Sequence, residues 1–187
     1  HFRPHLEQVL EARREYAGFF APWDSIYDPL LDDFEPGTTT VDVERLFAGV
    51  RPELTALVGE IRSCGREVDG SFLEGDFDEA QQTGFGMEVL RRMGFDFDRG
   101  RQDRSAHPFT TSFSRGDVRI TTRFDPKYLP PALFGSMHEG GHALYEQGIA
   151  AEYARAPLGR YASLGIHESQ SRLWENLVGR SLGFWRH

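Results

Sequence analysis

Apolar residues recur along most of this chain at the three-to-four-residue spacing of helices, and in one stretch the spacing drops to two. Leu6, Val9, Leu10, Ala17 and Phe20 fall on one side of a 3.6-residue repeat that Pro22 stops, so residues 6–20 are predicted as an amphipathic helix. Asp24 to Thr40, with Pro29, Pro36 and Gly37, reads as a connector holding one short helical turn, and its acidic cluster Asp32, Asp33 and Glu35 reads as a solvated face. From Thr39, a second stripe of Leu46, Val50, Leu54, Leu57, Val58 and Ile61 runs to Gly65, with Pro52 predicted to kink it or to open a second segment. Asp76 and Glu79 have the spacing of a capping box ahead of a third helix with Phe77, Ala80, Leu90 and Met93, which Gly94 stops.

The period then changes. His107, Phe109, Thr111 and Phe113 alternate with Pro108, Thr110 and Ser112; after Ser114-Arg115-Gly116, Val118, Ile120, Thr122 and Phe124 alternate with Asp117, Arg119, Thr121 and Arg123. This predicts an antiparallel β-hairpin over 105–125, joined by a three-residue loop with a left-handed glycine. The charges of its polar face could orient a metal ligand or bind a substrate terminus, with water the default for a surface hairpin. Pro130-Pro131 opens a further helix that Gly148 closes. In the last helical stretch, 161–183, Leu164, His167, Glu168, Ser171, Arg172 and Glu175 share a broad face. The fold class is therefore mainly α with a small antiparallel β-hairpin. One mainly helical domain is expected, with a scaffold over 1–94, the hairpin over 105–125 and functional helices over 131–187.

Composition narrows the functions. A net charge of −8 leaves no basic footprint for nucleic acid or for an anionic membrane. The single Cys64 forms no internal disulfide. No apolar run approaches the ~18 residues of a membrane span, and the N-terminus lacks a basic-then-apolar leader, so a soluble cytoplasmic protein is expected. The chain opens on His1 and stops at Phe184-Trp185-Arg186-His187 while still reading as helix, and it carries 15 Phe and 3 Trp. Those features predict a piece of a longer protein, with some apolar surface meant for a missing partner segment.

The chemistry concentrates in His138-Glu139-Gly140-Gly141-His142, or HEGGH. On a helix, His138 and His142 are one turn apart and leave the same face, so the two imidazoles can grip one metal ion. Zinc suits two neutral imidazole nitrogens plus a carboxylate, with a fourth position for water. Glu139 projects beside the pair and could take a proton from that water without ligating the metal. Two glycines inside a helix each cost about 1 kcal/mol against alanine, which marks a site or a close backbone approach. Glu168, 26 residues after His142, is the candidate third ligand, with Glu175 and Glu146 as rivals and an ion pair to Arg172 as its bland alternative. Arg172 and Glu175 are candidates for holding the carboxylate or an imidazole in place, while His107, His167 and the tyrosines are candidate donors to an oxyanion.

His107-Pro108-Phe109, Asp117-Val118-Arg119-Ile120-Thr121, HEGGH and His167-Glu168-Ser169-Gln170, in this order, resemble successive motifs of the thermostable metallocarboxypeptidase family typified by carboxypeptidase Taq. The resemblance implies a mainly helical fold with a small sheet, and zinc or cobalt held by His138, His142 and Glu168. It also implies Glu139 as general base, release of C-terminal residues from peptides with broad specificity but poorly at proline, and a cytoplasmic homodimer. The match is to the family's central portion. Two downstream motifs, of the forms IRxxAD and GxxQDxHW, are missing from this chain, and the arginine of the first is the family's anchor for the substrate carboxylate. Arg119, Arg123 and Arg160 are the candidate substitutes in this chain. The competing readings are an endopeptidase or aminopeptidase with the same ligands, and a non-catalytic helical module that binds a partner.

Overall fold

The structure, a computed structural model, describes residues 1–187. The chain gathers into two compact units, 1–68 and 69–187.

In the first unit, α1 (Arg3–Gly18) carries Pro4 in its first turn, where the missing N–H costs nothing. Ala17 is its buried residue, and its carbonyl accepts from the Trp23 indole at 3.0 Å. The Tyr16 hydroxyl donates to Asp33, just beyond α2 (Asp28–Asp32), at 2.8 Å. The next helix, α3 (Thr40–Ser63), is opened by a complete capping box between Thr39 and Asp42 and runs through Pro52 as a single helix, so no second segment starts there. Its apolar stripe is a face without a cover. No residue of α3 is buried, and Leu46, Val50, Leu54, Leu57, Val58 and Ile61 stay between 42% and 62% exposed.

The second unit is built around α5 (Pro130–Gly148), which packs against α4 (Glu79–Met93), a small sheet and α6 (Leu164–Arg172). α4 is capped by Asp78, whose side chain accepts from the Gln81 N–H at 3.0 Å, and not by Asp76, which pairs with Lys127. Gly94 ends α4 in the left-handed conformation, φ 101°, that a side chain would resist.

The sheet has order β1-β3-β2 and is mixed: β3 (Asp117–Thr122) runs antiparallel to β2 (Thr110–Ser114) and parallel to β1 (Gly100–Arg104). β1 was not expected, because Gly-Arg-Gln-Asp-Arg carries no apolar residue for alternation to reveal. The hairpin also turns more tightly than expected. Ser114 pairs with Asp117, leaving a two-residue turn at Arg115-Gly116, and Gly116 is not left-handed. A register shift between Ser112 and Ser114 bulges Phe113 outward and changes which side of β2 faces in. Thr110 and Ser112 therefore lie opposite Ile120 and Val118, while Phe109 and Phe113 are 49% and 70% exposed.

α5 covers the face of Val118, Ile120 and Thr122, and the Thr122 hydroxyl donates to the Ala132 carbonyl at 3.1 Å. Val89, Leu90, Met93, Phe95, Leu133, Met137 and Ala143 complete this core. Each large side chain buried there contributes about 1.5–3 kcal/mol relative to exposure. α6, capped by Ser163, passes directly into a π-helical segment, Leu173–Val178, before the short α7 (Leu182–Arg186).

Candidate metal centre

The two glycines of HEGGH are explained by what approaches α5 on either side. A Cβ at residue 140 would run into the Leu90 and Met93 side chains of α4. At residue 141 it would sit 2.6 Å from Ser171 Cα and 2.7 Å from the Gln170 carbonyl oxygen, both backbone atoms of α6. Gly141 thus lets the α6 backbone lie directly against α5, and this contact carries Glu168 to the imidazoles one turn away.

His138 and His142 leave α5 on the same face, with ring centroids 5.0 Å apart. Glu168 Oε2 lies 3.1 Å from His142 Nε2 and 3.7 Å from His138 Nε2, and all three ligand-capable atoms fall within 4.8 Å of one another. A tetrahedral zinc with bonds near 2.0–2.1 Å separates its ligand atoms by about 3.3 Å, and the 3.1 and 3.7 Å spacings of Glu168 Oε2 from the two imidazole nitrogens bracket that value, so two histidines and a carboxylate fit such an ion in chemistry and in scale. The other Glu168 oxygen, Oε1, accepts from Arg172 at 2.8 Å. The ion pair weighed against a ligand role is present alongside it, on a different oxygen.

Both imidazoles are held from behind. His138 Nδ1 is 2.9 Å from Glu175 Oε2, and Glu175 also receives Arg172 and Arg180. His142 Nδ1 is 2.6 Å from His167 Nδ1, and His167 Nε2 is 2.9 Å from Glu146 Oε1. Neither rival carboxylate, Glu146 or Glu175, belongs to the three-atom cluster. His167 has both ring nitrogens engaged, one by His142 and the other by Glu146.

Burial, reinforced by His167 and His138, pushes the His142 imidazole down to about 4, so it is a neutral donor near pH 7. Burial raises the Glu168 carboxyl, but Arg172, His138, Ser171 and His142 outweigh it and hold it below the usual range. Glu175 behaves alike, with Arg180 and His138 overcoming burial, and the His167 hydrogen bond holds Glu146 low. Glu139 goes the other way. It is 7% exposed, and burial raises its carboxyl despite a hydrogen bond from Thr110 and the nearby charges of His138 and His107.

Thr110 was missed from the sequence. Its hydroxyl donates to Glu139 Oε2 at 2.7 Å, which anchors the carboxylate beside the cluster but outside it. The only hint was a polar residue on a strand, and the bulge at Phe113 concealed that it faces in. Conversely, Asp117 and Arg119 are not brought to the site. They bind each other at 2.8 Å on the sheet face away from α5, with the Arg119 guanidinium 5.0 Å from the Phe113 ring centroid.

Three comparisons agree. The model of the carboxypeptidase Taq (M32) metallopeptidase family matches residues 1–187. Carboxypeptidase 1 of Bacillus subtilis is 42% identical over 184 residues, which cover 98% of this chain and 37% of that protein. Thermostable carboxypeptidase 1 of Thermus thermophilus is 44% identical over 193 residues, covering 98% and 38%. Among solved structures, the M32 carboxypeptidase of Deinococcus radiodurans superposes with a TM-score of 0.90 at 43% identity, covering 97% of this chain and 36% of that one. The chain thus spans somewhat over a third of the length of the relatives it matches.

Proposed function

We propose that this chain, which belongs to the carboxypeptidase Taq family of metallopeptidases, is the metal-binding and general-base portion of a zinc-dependent enzyme releasing C-terminal residues from peptides. The observation that carries the reading is the convergence of His138 Nε2, His142 Nε2 and Glu168 Oε2 beside a buried Glu139 that belongs to no ligand set. Zinc, when bound, supplies a lowered water pKa, toward ~7, and stabilisation of the charge that develops on the carbonyl oxygen.

The chain's own residues do the rest. Glu139, held by Thr110, takes the proton of the attacking water and passes it to the leaving amine, a task suited by its raised proton affinity. β2 is an edge strand with a free hydrogen-bonding side, and extended peptide can pair along it. A cleft of about 450 Å³ runs beside this strand, bounded by Glu146, Arg160, Tyr161 and His167. Of the candidate anchors for a substrate carboxylate, Arg160 lies in this cleft, whereas Arg119 is occupied by Asp117.

The test pairs metal analysis with a peptide assay on this chain. One zinc per chain is expected, with single residues released from a peptide bearing a free C-terminus and none from its amidated form. Cutting of the amidated peptide would point to an endopeptidase or aminopeptidase instead, and a chain that retains no zinc would refute the metal reading.

A further inference from the structure

Glu146 and His167 take part in no step above, yet they form a continuous chain behind His142. Glu146 Oε1 meets His167 Nε2 at 2.9 Å, and His167 Nδ1 meets His142 Nδ1 at 2.6 Å. The three side chains are sheltered, at 13–16% exposure. The two rings meet edge to edge, their planes inclined by 21° and their centroids 4.6 Å apart, and the rings of Tyr145 and Tyr161 pack on His167 at 4.9 and 5.3 Å.

Two ring nitrogens at that separation share one hydrogen, since two N–H groups would collide and two lone pairs would repel. Glu146 decides which ring supplies it. An ionised carboxylate only accepts, so His167 carries its hydrogen on Nε2 and presents a bare Nδ1. His142 must then carry its hydrogen on Nδ1, which leaves the Nε2 lone pair facing Glu168 and His138. His138 has the same arrangement with one member fewer, because Glu175 sits directly on its Nδ1.

We propose that Glu146 and His167 are positioning residues: a relay that fixes His142 as its Nδ1–H tautomer and aims Nε2 into the metal site. The inference rests on the metal reading of the preceding section. It assigns Glu146, a rival third ligand on sequence grounds, to the outer end of this relay.

Zinc affinity, measured by competition with a chromophoric chelator, and the ring ¹⁵N shifts of metal-free protein test it together. Glu146→Leu and His167→Phe are expected to weaken zinc about 10–100-fold, the range for losing a partner of a ligating histidine. Glu146→Gln keeps an acceptor for His167 and should fall between wild type and Glu146→Leu. The double variant should be no worse than the poorer single one, because either break empties the same chain. In metal-free wild type the His142 shifts should report hydrogen on Nδ1, redistributing toward Nε2 in Glu146→Leu, a change that mere loosening of the fold would not produce. Folded variants with unchanged zinc affinity and unchanged His142 tautomer would overturn the relay, while Glu168→Ala still losing zinc would leave the metal reading intact. Complete loss of stoichiometric zinc in both Glu146→Gln and Glu146→Leu would make Glu146 a ligand and overturn the relay as well. Wild type that binds no zinc would overturn both.

Discussion

Gly141→Ala sets two physical effects against each other. Helix propensity alone favours the substitution by about 1 kcal/mol, since alanine is the better residue inside a helix. The structure opposes it. The new Cβ would stand 2.6 Å from Ser171 Cα and 2.7 Å from the Gln170 carbonyl oxygen, whereas carbon contacts are comfortable near ~3.5–4.0 Å. Both obstacles are backbone, so no rotamer change relieves them and α6 must retreat by about 1 Å. Overpacking of this kind costs about 1–3 kcal/mol, leaving a net loss of about 0–2 kcal/mol and a Tm lowered by up to several degrees. The larger effect falls on the metal. Glu168 rides on α6, and a metal site tolerates only about 0.2 Å in its ligand distances, so a 1 Å retreat should weaken zinc at least tenfold, or about 1.4 kcal/mol. Gly140→Ala is the control: its Cβ meets the far ends of Leu90 and Met93, which can give way, so it should cost stability while sparing zinc. Chelator competition and thermal unfolding on both variants read the outcome. A Gly141→Ala chain with raised Tm and unaltered zinc affinity would refute the claim that the glycine holds the two helices at ligand distance.

Glu139→Gln should abolish peptide release and retain one zinc per chain, read by metal analysis beside the assay; loss of the metal would make Glu139 a ligand. Thr110→Val leaves a buried carboxylate without its donor and should cost about 1–3 kcal/mol in urea unfolding, with Thr110→Ser recovering most of it; equal stability of all three would dismiss the hydrogen bond. Leu90→Ala, at a fully buried position, should lose about 2–5 kcal/mol by the same measurement, and a loss below 1 kcal/mol would mean the site collapses around the gap. In metal-free chain, His142 holds its proton only below about 4 when folded but near 6.5 when unfolded, so the unfolded state binds more protons between those values. Stability should therefore fall as pH drops from 6.5 toward 4, by at most about 1.4 kcal/mol per unit from this group. The slope should flatten in His142→Asn, and an identical slope in that variant would contradict the assignment.

The sequence alone determined what depends on neighbours along the chain. The one-turn spacing of His138 and His142 needs only a helix, the C-terminal stops at Gly65 and Gly94 need only a left-handed residue, and the two glycines of HEGGH already marked a close approach. Spacing could also nominate Glu168, but it could not separate that residue from Glu146 and Glu175, which look equivalent on a helical wheel. Tertiary structure separated them, by placing the Glu168 carboxylate on the Nε2 side of the histidines and the other two on the chains behind the Nδ1 atoms. It also decided the inward turn of Thr110, because one bulged residue reverses which side of a strand meets the core, and alternation cannot register a bulge. β1 stayed hidden because its pairing with β3 rests on backbone groups that every residue carries. The apolar stripe of α3 shows the same limit from the other direction: periodicity states that a helix has a face, and only the packing of other chain segments states whether anything covers it.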